Sequence, residues 1–152
     1  MQTRRETLRQ SAIVASLLAA TGFIPRSALA DWSKGAFEAK SVADVTKAFG
    51  AGAPTESKDI TITGPDIAEN GAVVPLAVAS SLPGLKHLLI LVEKNPNALV
   101  AKFDVSDAVE PSFSTRAKMG QSSDVYAVAI TADGKALFAK KEVKVTLGGC
   151  GG

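Results

Sequence analysis

An all-β sandwich is the fold class that three features of this sequence predict. Between residues 59 and 147 the apolar side chains recur at every second position or in short unbroken runs. Gly, Pro, Asn and Asp clusters interrupt these segments roughly every 8–12 residues. The composition is that of a soluble globular chain, with 46% apolar and 21% charged residues in a length of 152, enough for one core. About seven short strands spaced this way resemble an immunoglobulin-like antiparallel β-sandwich, here with a short N-terminal helix and a flexible C-terminal arm. The Cys…Trp…Cys core of antibody domains is missing, so the architecture alone is expected.

Ser41 followed by Asp44 reads as an N-cap with an acid three residues on. Val42, Val45 and Phe49 continue at helical spacing. Gly50 and Gly52 stop this helix, and Pro54 prevents it from resuming. The period then becomes two. Asp59 to Thr63 is a half-buried strand carrying Ile60 and Ile62, closed by Gly64-Pro65. Asn70-Gly71 marks a turn. Val73 to Ala79 is the next strand, with Pro75 suggesting an edge or a bulge.

Leu85 to Val92 is apolar except for Lys86 and His87. It fits a buried strand, although periodicity alone does not separate that from a helix. Asn95-Pro96-Asn97 is most simply a turn. Leu99 to Val105 alternates, placing Leu99, Ala101, Phe103 and Val105 on one face. Phe113 to Met119 alternates again, opposing Ser114, Arg116 and Lys118. Val125 to Ile130 is apolar, Asp133-Gly134 is a tight turn, and Ala136 to Leu147 is the last strand.

The charge is unevenly placed. Residues 1–30 hold four arginines against one glutamate, a net +3, and the remaining 13 basic and 14 acidic groups give −1. The basic excess belongs to the N-terminus, so nucleic acid is not an expected partner. Residues 1–30 have the layout of an export signal: Arg4 and Arg5 in a charged head, an apolar stretch from Ser11 to Ile24, and Ala28-Leu29-Ala30 as a small-residue cleavage site. Thr3-Arg4-Arg5 with Leu8 and Arg9 resembles the twin-arginine pattern, an address read by a receptor. An anchoring or amphipathic helix is the plainer alternative. The expected location is the periplasm, with no membrane attachment after cleavage.

A lone cysteine in that oxidising compartment cannot pair within its own chain. It lies in Gly148-Gly149-Cys150-Gly151-Gly152, after the last predicted strand. Glycine restricts the backbone least. The five residues, four of them glycine, extend to roughly 15–18 Å and leave the sulfur free of neighbouring bulk. A free thiol has a pKa of about 8.5 and reacts as its thiolate. No basic residue adjoins Cys150, so activation falls to whatever pocket receives it. One thiolate supplies one ligand where zinc usually takes about four, and with one histidine in the chain no metal site is expected. No catalytic set is expected either. His87 reads as a packed or edge histidine, Asp104, Asp107 and Glu110 as a solvated loop, and Trp32 as core packing.

The pentapeptide around Cys150 resembles the swinging arm of the SoxY family of sulfur carriers. Glu69–Pro75, Val92–Asn97, Thr115–Gly120 and Lys144–Leu147 resemble further segments of that family, and so does the twin-arginine signal. The resemblance implies an export signal over 1–30, an immunoglobulin-like SoxY domain over 31–147 and an arm over 148–152. It implies that Cys150 is the attachment point for thiosulfate-derived sulfur, with Gly148, Gly149, Gly151 and Gly152 as its joints. It implies a heterodimer with SoxZ, and no cofactor beyond the covalently bound sulfur. The processing enzymes it implies are the c-type cytochrome SoxAX, the hydrolase SoxB and, in complete systems, the sulfane dehydrogenase SoxCD. The chain is then a substrate of its partners rather than an enzyme. Two other readings compete: an immunoglobulin-like binding module, and a carrier that holds sulfur as a thiocarboxylate on Gly151-Gly152.

Overall fold

The computed structural model describes residues 3–20 and 34–146. The chain divides into two compact units, Met1–Trp32 and Ser33–Gly152.

In the first unit, helix α1 spans Arg4–Ala20. Thr3 and Glu6 close its start reciprocally: the Glu6 carboxylate accepts from the Thr3 N–H at 3.0 Å, and the Thr3 hydroxyl accepts from the Glu6 N–H at 3.4 Å. Arg4, Arg5 and Arg9 are exposed on it. No helix among the described residues is long and apolar enough to cross a membrane. Ala28, Ala30 and Trp32 lie outside the described residues.

The second unit begins with α2 (Lys34–Glu38) and α3 (Val42–Ala48). Nine strands follow among the described residues: β1 (Thr55–Glu56), β2 (Ile60–Thr63), β3 (Ile67–Ala68), β4 (Val74–Ser80), β5 (Leu85–Val92), β6 (Leu99–Asp104), β7 (Ser112–Ala117), β8 (Ser123–Thr131) and β9 (Ala136–Val145). The larger sheet runs β1-β9-β8-β5-β6, with β3 also on β9, and the smaller runs β2-β4-β7. This is the immunoglobulin-like sandwich the sequence predicts, with seven of its strands near the expected positions.

Ser41 caps α3 as expected. Its hydroxyl accepts from the Asp44 N–H at 3.1 Å and donates to the Asp44 carboxylate at 2.6 Å. Gly50 ends the helix at φ +70, a conformation that favours glycine.

Two cores share the larger sheet. Leu88, Ile90, Val92, Val125, Ala127 and Ala129 face the smaller sheet, meeting Val74, Leu76 and Val78. Leu89, Leu91, Val128 and Ile130 face the other way and pack under α2 and α3 with Ala36 and Val45. β5 is thus buried on both faces, which is why its apolar run does not alternate.

Four expectations are corrected. β1 and β3 pair parallel to β9, so the sandwich is not wholly antiparallel. Leu99 does not share a face with Ala101 and Phe103: the register shifts between Ile90 and Leu91, and Leu99 turns into the helix-side core. Pro75 sits on the central strand of its sheet rather than an edge strand or a bulge. It is tolerated because β2 pairs only with Ala77–Ser80, leaving Pro75 with a strand neighbour, at Arg116, on one side. Asp104 is the last residue of β6 and not part of a solvated loop.

Candidate functional site

Cys150, with Gly148, Gly149, Gly151 and Gly152, lies outside the described residues. The structure describes the base from which that segment departs. The Val145 N–H donates to Ser122 Oγ at 2.9 Å, and the Ser122 hydroxyl donates back to the Val145 carbonyl at 3.4 Å. On the other side, Lys144 N–H donates to Asp66 O at 2.9 Å and Thr146 N–H to Ala68 O at 3.1 Å. β3 runs beside β9 with Ile67 opposite Lys144 and Ala68 opposite Val145. The end of β9 is therefore braced from both flanks up to Thr146. Cys150 is four residues further on, a span of at most about 13–14 Å.

Three segments converge on this root. The Asn70-Gly71 turn closes through Ala72 N–H to Asn70 Oδ1 at 2.9 Å. Met119 N–H donates to Gly71 O at 2.7 Å. Gly71 is packed so closely that a Cβ there would stand 2.4 Å from the Met119 carbonyl oxygen and 2.8 Å from Val145 Cγ1. Asn95 Nδ2 donates to the Lys118 carbonyl at 2.7 Å, and its Oδ1 accepts from the Gly120 N–H at 3.4 Å. Lys94 N–H reaches Ser123 Oγ at 3.0 Å. Glu69–Pro75, Val92–Asn97 and Thr115–Gly120, singled out separately in the sequence, are thus one structure around the end of β9. Asn95 does more than make a turn, and Ser122 and Ala68 carry no signal in the sequence that marks them as braces.

The other residues singled out lie elsewhere or do other work. Arg116 lines a groove of about 820 Å³ with Thr63, Pro65, Pro75 and Ser114, where β2 stops short on the smaller sheet. Lys118 is exposed beyond β7, and Asp107 and Glu110 are exposed in the loop after β6. Among the described residues no three His, Cys, Asp or Glu converge as metal ligands.

His87 is packed rather than at an edge, since β5 has β6 and β8 on its flanks. Its Nδ1 is 2.6 Å from Asp104 Oδ1, and Lys102 Nζ is 3.0 Å from the same oxygen. The Phe49 ring lies 5.4 Å from the imidazole. Burial pushes the His87 pKa below its ordinary value; Asp104 opposes this incompletely, and Lys102 and Lys86 add to it. Burial acts upward on the Asp104 carboxyl, but the bonds from Lys102 and His87 hold it below the usual range. His87 pairs with Ile130 on β8, seven residues from Ser123 at the root, or roughly 23 Å along the strand. It stands too far from the Cys150 segment to activate its thiol.

The lowered His87 pKa has a thermodynamic consequence. As pH falls below about 6.5, the unfolded chain takes up this proton before the folded one. The contribution to stability is therefore complete above about 6.5 and lost as pH falls through the folded value. The chain has one histidine, so its imidazole NMR signal is unambiguous. The expected titration midpoint is below 6.5, and His87→Gln should flatten the decline of Tm between pH 7 and 5. A midpoint at or above 6.5 contradicts this.

The fold and the root together define a class: an immunoglobulin-like sandwich that fixes one strand end, with the one cysteine of the sequence four residues past Thr146. Comparison with known proteins gives the family. The model of the sulfur oxidation protein SoxY matches residues 45–150, and the chain belongs to the SoxY family of sulfur carriers. The solved structure of the sulfur carrier protein SoxY from Chlorobium limicola f thiosulfatophilum is 39% identical, with a TM-score of 0.61, over 68% of this chain and 93% of that one. Two variants of a superoxide reductase (neelaredoxin) from Ignicoccus hospitalis are 17% identical, with TM-scores of 0.51, over 57% of this chain and 79% of theirs; they share the fold alone. No curated protein matches.

Proposed function

We propose that this chain carries thiosulfate-derived sulfur on Cys150 in the periplasm and presents it in turn to separate enzymes. One observation carries the reading: in a chain of this family, β9 is braced at Val145 and Thr146 four residues before the cysteine. A carrier needs a reactive atom, a tether and a fixed base, and the bonds from Ser122 and Ala68 supply the base.

In this reading Arg4 and Arg5 address the chain to the twin-arginine route, and cleavage follows Ala28-Leu29-Ala30. SoxZ is the partner subunit. A c-type cytochrome, SoxAX, joins the Cys150 sulfur to the sulfane sulfur of thiosulfate. The thiol proton leaves and two electrons pass to the cytochrome. SoxB then hydrolyses the terminal sulfonate to sulfate. Where SoxCD is present, it oxidises the remaining sulfane sulfur, and a second hydrolysis frees the thiol. The carrier performs none of these bond changes itself. It holds the intermediate within a sphere of about 13–14 Å around Thr146, and Gly148, Gly149, Gly151 and Gly152 let the sulfur turn toward each active site.

Mass spectrometry of the protein from cells growing on thiosulfate is expected to find sulfur and thiosulfonate adducts on the peptide containing Cys150. Adducts confined to other residues, or none during active oxidation, would falsify the assignment.

A further inference from the structure

We propose that Ile67 and Val73 form the surface on which the enzyme that loads Cys150 seats the rim of its active-site entrance. The inference rests on the carrier reading above and adds the place where the partner docks. The partner it fits is an enzyme whose entrance is ringed by apolar side chains.

The length of the tether makes the argument. Cys150 reaches at most about 13–14 Å from Thr146. A partner that draws the sulfur into an enclosed site uses much of that length inside its own entrance. Its outer surface must then touch the carrier close to the end of β9. Whatever surrounds the root is buried each time the sulfur is processed.

Two of the exposed large apolar side chains stand there. Among the described residues of the second unit, three large apolar side chains are exposed: Ile67 at 58%, Val73 at 50% and Val109 at 42%. Two of the three flank the root. Ile67 lies opposite Lys144 in the β3–β9 ladder, about 5 Å away across it. Val73 follows Gly71 by two residues, at most about 7 Å, and Gly71 lies against Val145. Both stand nearer the root than Cys150 can extend.

Packing does not account for them. In β3 the inward side chain is Ala68, 6% exposed, and the buried neighbour of Val73 is Val74, at 0%. The fold uses those residues and leaves Ile67 and Val73 in water. Their backbone is already fixed, by the ladder to β9 at Ile67 and by Val73 N–H to Asn70 O at 3.3 Å. A surface fixed in advance loses little conformational freedom on docking.

The test uses the mature full chain with its partner subunit and the thiosulfate-conjugating cytochrome. Ile67→Asp with Val73→Asp is expected to lower kcat/KM for loading by at least about tenfold. Ile67→Asn with Val73→Asn should act in the same direction, and Ile67→Leu should leave the rate unchanged. Subunit pairing, Tm and the reaction of the Cys150 thiol with a small aromatic disulfide should all match the unaltered protein. Val109→Asp is the control. It lies in the loop leading to Pro111, which meets β4 at Ser80, the end far from Val74. It should load normally.

Unaltered kcat/KM in the double variant overturns the proposal. So does loss of subunit pairing, which would place these residues in the heterodimer interface. Neither outcome touches the carrier reading, which fails instead if thiosulfate is oxidised without Cys150.

Discussion

Cys150→Ser protein is expected to carry no thiosulfate-derived sulfur and to support no thiosulfate oxidation in cells lacking the unaltered chain. The loss should be complete, because the chain has no second thiol. A serine hydroxyl ionises far above neutral pH and cannot form the sulfur–sulfur bond that holds the cargo. Tm should match that of the unaltered protein, separating loss of chemistry from loss of structure. Oxygen uptake with thiosulfate and intact-mass analysis read the two arms of the test. Residual oxidation above the level of a strain lacking the chain sinks the carrier reading. Removal of Gly152 alone distinguishes the thiocarboxylate alternative, which predicts complete loss, from loading on Cys150, which should persist in part. Undiminished phenotype after deletion of residues 148–152 would favour a plain binding module.

Most of the strands were legible because burial imposes a period. Ile60 with Ile62 and Phe113 with Ala117 alternate because one face of the smaller sheet meets the core. Leu85–Val92 was harder to read, since cores on both faces erase the alternation that separates strand from helix. Thr55–Glu56 and Ile67–Ala68 were not legible at all: two residues carry no period, and their pairing with β9 is decided by distant parts of the chain. The shift at Ile90/Leu91 moved Leu99 to the other core for the same reason, because a bulge leaves no mark in one strand's pattern.

The candidate site divides along similar lines. Cys150 stood out from the sequence because it is the one cysteine and glycine pairs flank it on both sides. Its base did not. Asn95 looked like turn chemistry, and only the fold brings its amide to Lys118 and Gly120. Ser122 is one serine among several until β9 arrives beside it. His87 and Asp104 are 17 residues apart and meet through strand register.

Gly71→Ala is expected to destabilise the protein by about 1–3 kcal/mol, the range for forcing extra atoms into a packed site. The reason is space and not backbone conformation. The φ of Gly71 is not positive, so its backbone does not call for glycine. The added methyl would stand 2.4 Å from the Met119 carbonyl oxygen, a backbone atom, and 2.8 Å from Val145 Cγ1. Neither neighbour retreats easily. Met119 is 2% exposed and its N–H is bonded to Gly71 O. Val145 is held by Ser122 on one flank and lies opposite Ala68 on the other. The strain should therefore appear at the end of β9. The urea midpoint should fall, and the amides of Val145 and Thr146 should exchange with solvent faster than those in the middle of β9. Gly35→Ala is the matched control. A Cβ there meets nothing within 4 Å, and its place in α2 makes the change neutral or slightly stabilising. If Gly71→Ala leaves both the midpoint and the exchange of Val145 unchanged, the root is not the rigid base that the carrier requires. If the midpoint falls while Val145 stays protected, the strain is released toward Met119, and loading of Cys150 should proceed at its normal rate.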